Sequence, residues 1–390
     1  MTPSGAAADN EPDGVQAVAT KVIKAGTPDK VAAAARQGAK ALRAGELVAF
    51  ATETVYGVAA MATNRSAMER LRELKSRPAR PFSVHVGRPE DAHLYVVEPC
   101  KLARRLMLKA WPGPVTLLLP VGGKLAEKRL DKAGLYDVLT CDDVIGLRCP
   151  DEPVAMAVLL AVAAPVVATS ANRAQERSPR SAEDVLAALD GQIDLVIDSG
   201  PTRYGKDSTI VRFTPEGGAR IARSGVIDAR AIGRLLRWRL LLVCTGNTCR
   251  SPMAVGLARK LLADKLNCRV AELRRKGLDI VSAGAFATDG LGPMPEAVAA
   301  AGKLGADISR HRSRALTGEL IRSADVILCM KDSHVAEVLR VVPSAAGRTL
   351  RLDEKGDVPD PVGGGGRLYQ MIAERIHEAL KSRLGGLLTE

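Results

Sequence analysis

Short apolar runs alternate with helical segments in both halves of the chain, and this alternation limits the fold more than any other feature. The apolar runs lie at 47–50, 115–121, 144–147 and 165–169, and again at 240–243, 279–282 and 325–330. Helical patterns lie between them, for example at 27–43, 66–75, 101–110 and 182–189. Such alternation is typical of α/β domains. The sequence therefore predicts an α/β protein.

The pattern starts again near residue 237, which indicates two domains. A length of 390 residues fits two or three domains of ordinary size. We predict a disordered tail over 1–24, a first α/β domain over 25–236 and a doubly wound, parallel-sheet domain over 237–390.

Composition excludes several classes of protein. The longest apolar stretch, 154–168, is too short to span a bilayer, so no membrane association is predicted. The seven cysteines have no C-x-x-C spacing, which disfavours a zinc site or a disulfide scaffold and favours a reducing, cytoplasmic location. No metal ligands are predicted. Aromatic residues are only 3% of the chain, which argues against a base-stacking platform.

A strand, a turn and a helix follow one another in the second domain, and this order favours an anion site. Cys244 ends an apolar run, Gly246 and Asn247 allow unusual backbone angles, and a helix is predicted after Ser251. Backbone N–H groups of a loop at a helix N-terminus point inward and bind anions. Arg250 adds a planar guanidinium that suits two phosphoryl oxygens.

This arrangement predicts three catalytic residues: Cys244, Arg250 and Asp360. The positive field is expected to lower the pKa of the Cys244 thiol, so that a thiolate exists at neutral pH. A thiolate beneath a phosphoryl group can attack phosphorus in line and form a phosphocysteine. The leaving group then needs a proton, and Asp360, next to a glycine run at 363–366, is the predicted acid.

Residues 238–390 resemble the low-molecular-weight protein-tyrosine phosphatases. The resemblance rests on 244–254, Ser282-Ala283-Gly284, His311-Arg312-Ser313-Arg314 and Asp360-Pro361. It implies phosphorylated proteins as substrates and no cofactor. It also implies a phosphate loop made of Thr245, Gly246, Asn247, Thr248, Cys249 and Ser251.

Two positions favour one subgroup, the protein-arginine phosphatases. Thr248 stands where the tyrosine enzymes usually carry a bulkier residue such as Ile, and Val362 stands where they often carry an aromatic residue. We therefore expect phosphoarginine to be preferred to phosphotyrosine. The resemblance also implies a reversible disulfide between Cys249 and Cys244, although Cys249 would serve equally as a packed thiol.

In the first domain, hydroxyl, amide and cationic side chains follow predicted strands and helices. A turn carries Thr52 and Thr54, a helix runs into Lys75-Ser76-Arg77-Pro78, and a strand leads to Ser170 and Asn172. Ligand sites in α/β sheets lie outside strand carboxyl ends, so these side chains are expected to meet there. Pro78 favours an extended segment, from which both preceding cations would reach a polyanion such as a nucleoside triphosphate.

Residues 25–235 resemble the YrdC-like L-threonylcarbamoyladenylate synthases, which implies a twisted α/β domain. The resemblance rests on 52–57, 75–78, 111–116, 146–148, 169–172, 208–209 and 223–225. The combination of Lys-x-Arg with Ser-x-Asn is the family's distinguishing signature. The family condenses L-threonine, bicarbonate and ATP into threonylcarbamoyl-AMP and pyrophosphate, for t6A modification of adenosine 37 in tRNA.

The resemblance implies two sets of ligand-binding residues. ATP would be bound by Lys75, Arg77, Thr116, Ser170, Asn172 and Arg223, with Mg²⁺ on its phosphates. L-Threonine would be bound by Thr52, His85, Arg148 and Ser208. The expected partner is the tRNA-modification machinery.

Three positions depart from this family's pattern. Ala51 replaces the usual proline, Arg173 follows Asn172 in place of serine, and Glu152 occurs where histidine is frequent. These departures leave an alternative open, in which a non-catalytic YrdC-like module that binds RNA is fused to a protein-tyrosine phosphatase.

Overall fold

The computed structural model describes residues 19–76, 80–121, 130–132 and 134–387. They form two compact units. The first extends to Ala103 and includes Trp111–Asp228, and the second contains Arg104–Ala110 and the chain from Ala229 onward. This division falls slightly before the predicted boundary at 236. Arg77, one of the predicted ATP ligands, lies outside the described residues.

The first unit is built on a mixed sheet. Its strands are β1 (Lys21–Lys24), β2 (Val48–Ala51), β3 (Tyr56–Met61), β4 (Ser83–His85), β5 (Val115–Pro120), β6 (Thr140–Cys141), β7 (Val144–Arg148), β8 (Val166–Ser170), β9 (Leu195–Asp198), β10 (Thr209–Phe213) and β11 (Ala219–Arg223). Their order is β1-β9-β2-β3-β8-β4-β7-β5-β10-β11, and β6 pairs with β7. Both parallel and antiparallel pairs occur, for example β5 with β10 and β5 with β7.

The helices before residue 228 match the predicted helical segments closely. They are α1 (Pro28–Arg43), α2 (Arg65–Leu74), α3 (Lys101–Ala110), α4 (Tyr136–Leu139), α5 (Pro153–Val162) and α6 (Ala182–Leu189), with a 3-10 turn at Pro89–Leu94. The alanine-rich face of α1 packs with α5 over the sheet, where Leu42, Val158 and Phe50 are buried in one cluster. Small side chains let the two helices approach each other closely, and a Cβ at Gly38 would lie only 3.3 Å from Val158 Cγ2 at this crossing.

One sequence prediction needs correction here. The expected tail does not extend over 21–24, because this segment forms β1 and pairs with β9 in parallel. The apolar stretch at 154–168 forms two elements, α5 followed by β8, and the second corresponds to the apolar run at 165–169. Ala163 adopts a left-handed conformation at the helix end, with φ of 52°, and Pro165 prevents the helix from continuing.

The second unit has a parallel sheet with helices on both faces, which confirms the doubly wound prediction. Its strands are β12 (Trp238–Cys244), β13 (Leu278–Gly284), β14 (Val326–Cys329) and β15 (Thr349–Arg351), in the order β13-β12-β14-β15. Its helices are α7 (Ala229–Leu235), α8 (Arg250–Lys265), α9 (Pro295–Lys303), α10 (Gly318–Arg322), α11 (Asp332–Val341) and α12 (Gly366–Leu387), with 3-10 turns at Val270–Glu272 and Pro343–Arg348.

Alternation along β12 explains the two layers. Leu240 and Leu242 are buried in the cluster that contains residues of α8, α9 and α12. Leu241 and Val243 are buried in a second cluster, with residues of α10 and α11. Successive side chains of a strand point to opposite faces, so a continuous apolar run is what a central parallel strand requires.

None of the helices in the described part of the chain is long and apolar enough to cross a bilayer.

Candidate functional site

The loop 244–250 joins β12 to α8 and wraps around the Cys244 sulfur. The Asn247 backbone N–H donates to Sγ at 3.2 Å, and the Ser251 Oγ lies 2.9 Å from Sγ. Cys244 is buried, with 2% of its surface exposed. The strand therefore delivers the sulfur to the N-terminal end of a 16-residue helix, as the sequence predicts.

Asn247 holds the loop in shape. Its side-chain Nδ2 donates to Ser251 Oγ at 2.8 Å and to Ser282 Oγ at 2.9 Å. Its Oδ1 accepts the backbone N–H of Arg314 at 3.0 Å, and its carbonyl lies 2.7 Å from His311 Nε2. Two of the segments behind the phosphatase resemblance thus meet the loop through one buried side chain.

Glycine is required beside the loop rather than within it. We expected unusual backbone angles at both Gly246 and Asn247, but among the described loop residues only Asn247 is left-handed, with φ of 55°. Asparagine tolerates this conformation better than most residues. Gly284 is needed instead because the backbone of β13 lies very close to the loop: a Cβ at this position would lie 2.5 Å from the Thr245 carbonyl oxygen.

Arg250 is almost fully buried at the base of the loop. Its Nη2 donates to Thr245 Oγ1 at 3.1 Å and forms an ion pair with Asp360 Oδ2, and its Nη1 donates to the Val358 carbonyl at 3.2 Å. The three predicted catalytic residues are therefore brought together. The Asp360 side chain remains 38% exposed, so it can be reached from solvent.

Sequence reasoning missed His334, a buried residue of α11. Its Nε2 lies 3.0 Å from Thr245 Oγ1, the hydroxyl that also accepts from Arg250. Burial lowers the pKa of His334 to about 4, and the charge of Arg250 adds to this, so the ring is neutral at pH 7. No nearby motif signals this residue, because it reaches the loop from a helix far along the sequence.

The expected low pKa of Cys244 is wrong for the free loop. Burial raises the pKa of the Cys244 thiol above its ordinary value. Hydrogen bonds from Ser251 and from the Asn247 N–H, with the Arg250 guanidinium, act in the opposite direction. The sequence shows the groups that stabilise a thiolate but not how deeply the sulfur is buried. It therefore predicts the effects that lower the pKa of Cys244 and misses the larger effect that raises it.

Cys249 and Thr248, the remaining side chains of the loop, form no covalent bond with Cys244. Cys244 and Cys249 are both free thiols, and Cys249 Sγ lies 3.5 Å from the Tyr369 hydroxyl. The half-buried Thr248 places Oγ1 3.6 Å from Cys249 Sγ. Near the loop, Val362 and Phe286 are exposed.

In the first unit, a cavity of about 460 Å³ collects most of the predicted ligand-binding residues. Seven of the ten line it: Thr52, His85, Thr116, Arg148, Ser170, Ser208 and Arg223. These residues are distant in sequence, so their convergence is a property of the fold.

This cavity lies over one face of the sheet, and four of its predicted residues stand at strand carboxyl ends as we expected: His85, Arg148 and Ser170 end β4, β7 and β8, and Thr52 follows β2. Alternate residues line it, such as Val144, Gly146 and Arg148 of β7 and Thr116 and Leu118 of β5. Residues two apart share one face of a strand. Gly146 keeps the floor open, because a Cβ there would lie 2.7 Å from Ser83 Oγ.

Lys75 and Asn172 stand beside the cavity and contact each other. Lys75 Nζ donates to Asn172 Oδ1 at 2.8 Å and to the Ser170 carbonyl at 3.0 Å. Lys75 therefore meets the Ser-x-Asn segment in space, although the two are almost 100 residues apart in sequence. Across the cavity, Arg223 donates to Ser208 Oγ, which lies 2.9 Å from Thr116 Oγ1.

His85 is buried and neutral. Burial lowers its pKa to about 3, and the nearby Arg148 charge contributes. His85 Nδ1 lies 3.1 Å from the Ser83 carbonyl, which can only accept, so Nδ1 carries the proton. Nε2 is then a hydrogen-bond acceptor, which suits a residue that receives an N–H or O–H from a ligand.

Glu53 is the second residue that sequence reasoning missed. It is fully buried, and its carboxylate pairs with Arg148 at 3.0 Å and accepts the Asp151 N–H at 2.9 Å. Arg148 Nη2 also donates to the hydroxyls of Thr52 and Thr54. Glu53 directly follows Thr52, which we did select, and an acidic residue next to hydroxyls was the available signal.

The described residues contain no group of three or more His, Cys, Asp or Glu side chains that could hold a metal ion. Two carboxylates, Asp142 and Asp207, line the cavity. They fit the usual mode of Mg²⁺ binding, in which one or two carboxylates supplement phosphate oxygens and water.

Comparison with known proteins assigns each half of the chain. The family model for Sua5, YciO and YrdC, described as telomere recombination, matches residues 40–225, and that for low molecular weight phosphotyrosine protein phosphatase matches 239–388. The threonylcarbamoyl-AMP synthase of Rattus norvegicus is 30% identical over 215 residues, which cover 53% of this chain and 72% of the relative. A protein of Ralstonia solanacearum, described as a probable low molecular weight protein-tyrosine-phosphatase, is 39% identical over 124 residues, which cover 31% of this chain and 77% of the relative. The chain belongs to both families.

The resemblances drawn from the motifs are thus confirmed. The threonylcarbamoyl-AMP synthase of Bacillus subtilis is 38% identical over 176 residues, which cover 45% of this chain. The chain spans about half the length of that relative, 49%.

We expect Glu53→Gln to lower the free energy of unfolding of the first unit by about 3 kcal/mol, because it leaves the buried Arg148 charge without a counter-ion. Urea denaturation of the full chain measures this. Glu69→Gln is the matched control, since it also removes a carboxylate from an arginine pair, but an exposed one. Its effect should stay within about 0.5 kcal/mol. Equal effects of the two variants would contradict the role of Glu53 as the counter-ion of a buried Arg148.

Proposed function

We propose that the first unit synthesises threonylcarbamoyl-AMP from L-threonine, bicarbonate and ATP, as a step of t6A modification of tRNA. The observation that carries this proposal is the convergence of seven predicted ligand-binding residues on one cavity. Family membership supports it independently.

The chemistry proposed for the cavity is positioning and charge neutralisation. The threonine nitrogen takes up bicarbonate carbon as a carbamate with loss of water. A carbamate oxygen then attacks the α-phosphorus of ATP, and the bond to the β-phosphate oxygen breaks to release pyrophosphate. Arg148 and the neutral His85 would hold threonine, with Thr52 and Ser208 supplying hydroxyls.

Phosphates would be held by Lys75, Thr116, Ser170, Asn172 and Arg223. Arg223 supports this role by its geometry, since Nε and Nη2 donate to Ser208 and the side chain, although 45% exposed, lines the cavity. Mg²⁺ would be carried by ATP and would neutralise phosphate charge. The Asp207 carboxylate lies beside this proposed phosphate site, because its Oδ2 is 3.7 Å from Arg223 Nη1. Arg77, two residues after Lys75 in sequence, belongs to the same proposed set.

We expect Arg223→Gln to raise the KM for ATP about tenfold, the value of one lost charge-assisted hydrogen bond, with a smaller change for threonine. Pyrophosphate release that depends on threonine and bicarbonate is the measurement. Arg220→Gln, on the exposed part of the same strand, is the matched control. If the wild-type chain binds RNA but releases no pyrophosphate, the non-catalytic RNA-binding alternative replaces this proposal.

We propose that the second unit is a protein phosphatase that works through a phosphocysteine at Cys244. This proposal is carried by a sulfur that accepts a loop N–H and lies in the field of a buried guanidinium, which itself pairs with the accessible Asp360 carboxylate. Because burial keeps the free thiol protonated, its proton must leave to solvent or to the dianionic substrate before attack. Asp360 would then protonate the leaving group.

Cys244→Ser should reduce hydrolysis of p-nitrophenyl phosphate to background, since serine is not an adequate nucleophile without a base. Phosphate binding, measured by titration calorimetry, should persist because the backbone N–H groups and Arg250 remain. Cys268→Ser, a half-buried thiol away from the loop, controls for loss of a cysteine. Turnover retained by Cys244→Ser would reject the nucleophile.

Phosphoarginine is the proposed preferred substrate, with phosphotyrosine second. Thr248 gives the loop a small polar side chain, and the exposed Val362 offers no ring to stack on a phenyl group. Similarity to the Ralstonia relative, a probable protein-tyrosine-phosphatase, favours the second candidate. Cys249 is proposed to protect Cys244 by a reversible disulfide, and recovery of peroxide-inactivated enzyme with a thiol reductant tests this.

Thr248→Ile should lower the ratio of phosphoarginine to phosphotyrosine hydrolysis by about tenfold, because the added methylenes crowd a guanidinium but contact a ring. The kcat/KM ratio of the two phosphopeptides measures the effect. Activity on p-nitrophenyl phosphate reports whether the loop itself is intact. An unchanged ratio in an active variant would remove the basis for the arginine preference.

A further inference from the structure

A group of arginines along the outer edge of β13 takes no part in either proposed site. We call it the edge cluster: Arg239, Arg259, Arg274, Arg314 and the carboxylate of Asp279. All five residues belong to the second unit. Strand β13 is the terminal strand of the described sheet, with β12 on its other side.

Alternate backbone groups of β13 face away from the sheet. The N–H and carbonyl of Gly284 bond outward, to the Arg314 carbonyl and the Leu316 N–H. Residues two apart point the same way, so the carbonyls of Ile280 and Ser282 also lie on the outer edge. Arg259 Nη2 donates to the first at 2.8 Å, and Arg314 Nε donates to the second at 2.7 Å.

These two guanidiniums are therefore neighbours along the edge. The carbonyls that they bind are two residues apart, a separation of about 7 Å along a strand. A guanidinium has five N–H donors, and each of these two spends one on the strand. In the described part of the chain, no acceptor is seen for their other donors.

The cluster has more positive than negative charge. Asp279 is buried, and it is shared by Arg239 at 2.8 Å and Arg274 at 3.0 Å. The described residues give Arg259 and Arg314 no carboxylate within ion-pair distance. Burial lowers the pKa of Arg314, with neighbouring guanidiniums adding to the effect and Asp279 and Asp289 opposing it. An anion placed between the two forks would relieve this repulsion.

We propose that the edge cluster is a binding site for a phosphate-class oxyanion, separate from the loop 244–250. Two planar forks side by side suit a tetrahedral anion, which offers three or more oxygens, better than a carboxylate with two. The separation from the loop is structural. Arg314 contacts Asn247 through its backbone N–H, not through its guanidinium.

The anion has two sources with the same chemistry. It is either a free phosphate or pyrophosphate, or a phosphorylated side chain on a bound protein. Arginines that only cover the carbonyls of an edge strand and so prevent aggregation are the competing explanation. That explanation requires no selectivity for phosphate over other anions.

Arginine footprinting of the full chain tests the proposal. Phenylglyoxal modification, read at each arginine by peptide mass spectrometry, is compared with and without inorganic phosphate at constant ionic strength set by chloride. We expect phosphate to slow modification of Arg259 and Arg314 at least about tenfold. Arg340 and Arg65, exposed and paired with glutamate, are internal controls that should not respond.

A variant removes one fork. Arg259→Gln should abolish the protection of Arg314, while the KM for p-nitrophenyl phosphate stays unchanged because the loop is not altered. Arg340→Gln is the matched variant and should keep the protection. If Arg259→Gln unfolds, the wild-type footprint still decides.

Two further arms of the footprint use pyrophosphate and a phosphoserine peptide. Protection by inorganic phosphate or pyrophosphate identifies a free anion. Protection by the peptide alone identifies a phosphorylated protein. If no phosphate compound protects these arginines more than chloride does, the proposal is overturned and the cluster only covers the strand edge.

Discussion

Both candidate sites are organised around a buried arginine whose charge must be balanced inside the protein. Arg148 in the first unit and Arg250 in the second are almost fully buried, and each pairs with one carboxylate and with threonine hydroxyls. Burying a guanidinium is costly unless it is paired and hydrogen-bonded. The carboxylate and threonine side chains around each arginine are therefore held in place by their bonds to its guanidinium. These bonds also fix the positions of the proposed ligand-binding groups beside them.

The two arginines differ in the solvent exposure of the carboxylate with which each is paired. Glu53 is fully buried, so the Arg148 pair is a permanent part of the cavity wall. Asp360 is partly exposed on a loop after β15, so the Arg250 pair can separate when a substrate enters. This difference fits the proposed roles, since Arg148 would hold a substrate carboxylate, whereas Asp360 would have to reach a leaving group.

Sequence motifs predicted the fold correctly, and they selected most of the residues that the structure brings together in the two candidate sites. The apolar runs predicted the strands because a central strand is buried on both faces and cannot carry polar residues. Cys244, Arg250 and Asp360 were found because their chemistry is unusual in a strand–turn–helix context. Glu53 and His334 were missed, since a lone acidic or histidine residue in a sequence looks the same whether it is buried against an arginine or exposed to water.

The sequence by itself determined many of the strands and helices, the presence of two α/β domains, and which side chains have phosphate and hydroxyl chemistry. The tertiary structure alone decided that the cavity lies on a sheet face, that Gly284 and not Gly246 limits the approach to the loop, and that burial raises the pKa of Cys244. The reason is physical. Periodicity and residue type are local properties, whereas burial, close approach and electrostatic balance depend on residues that only folding brings together.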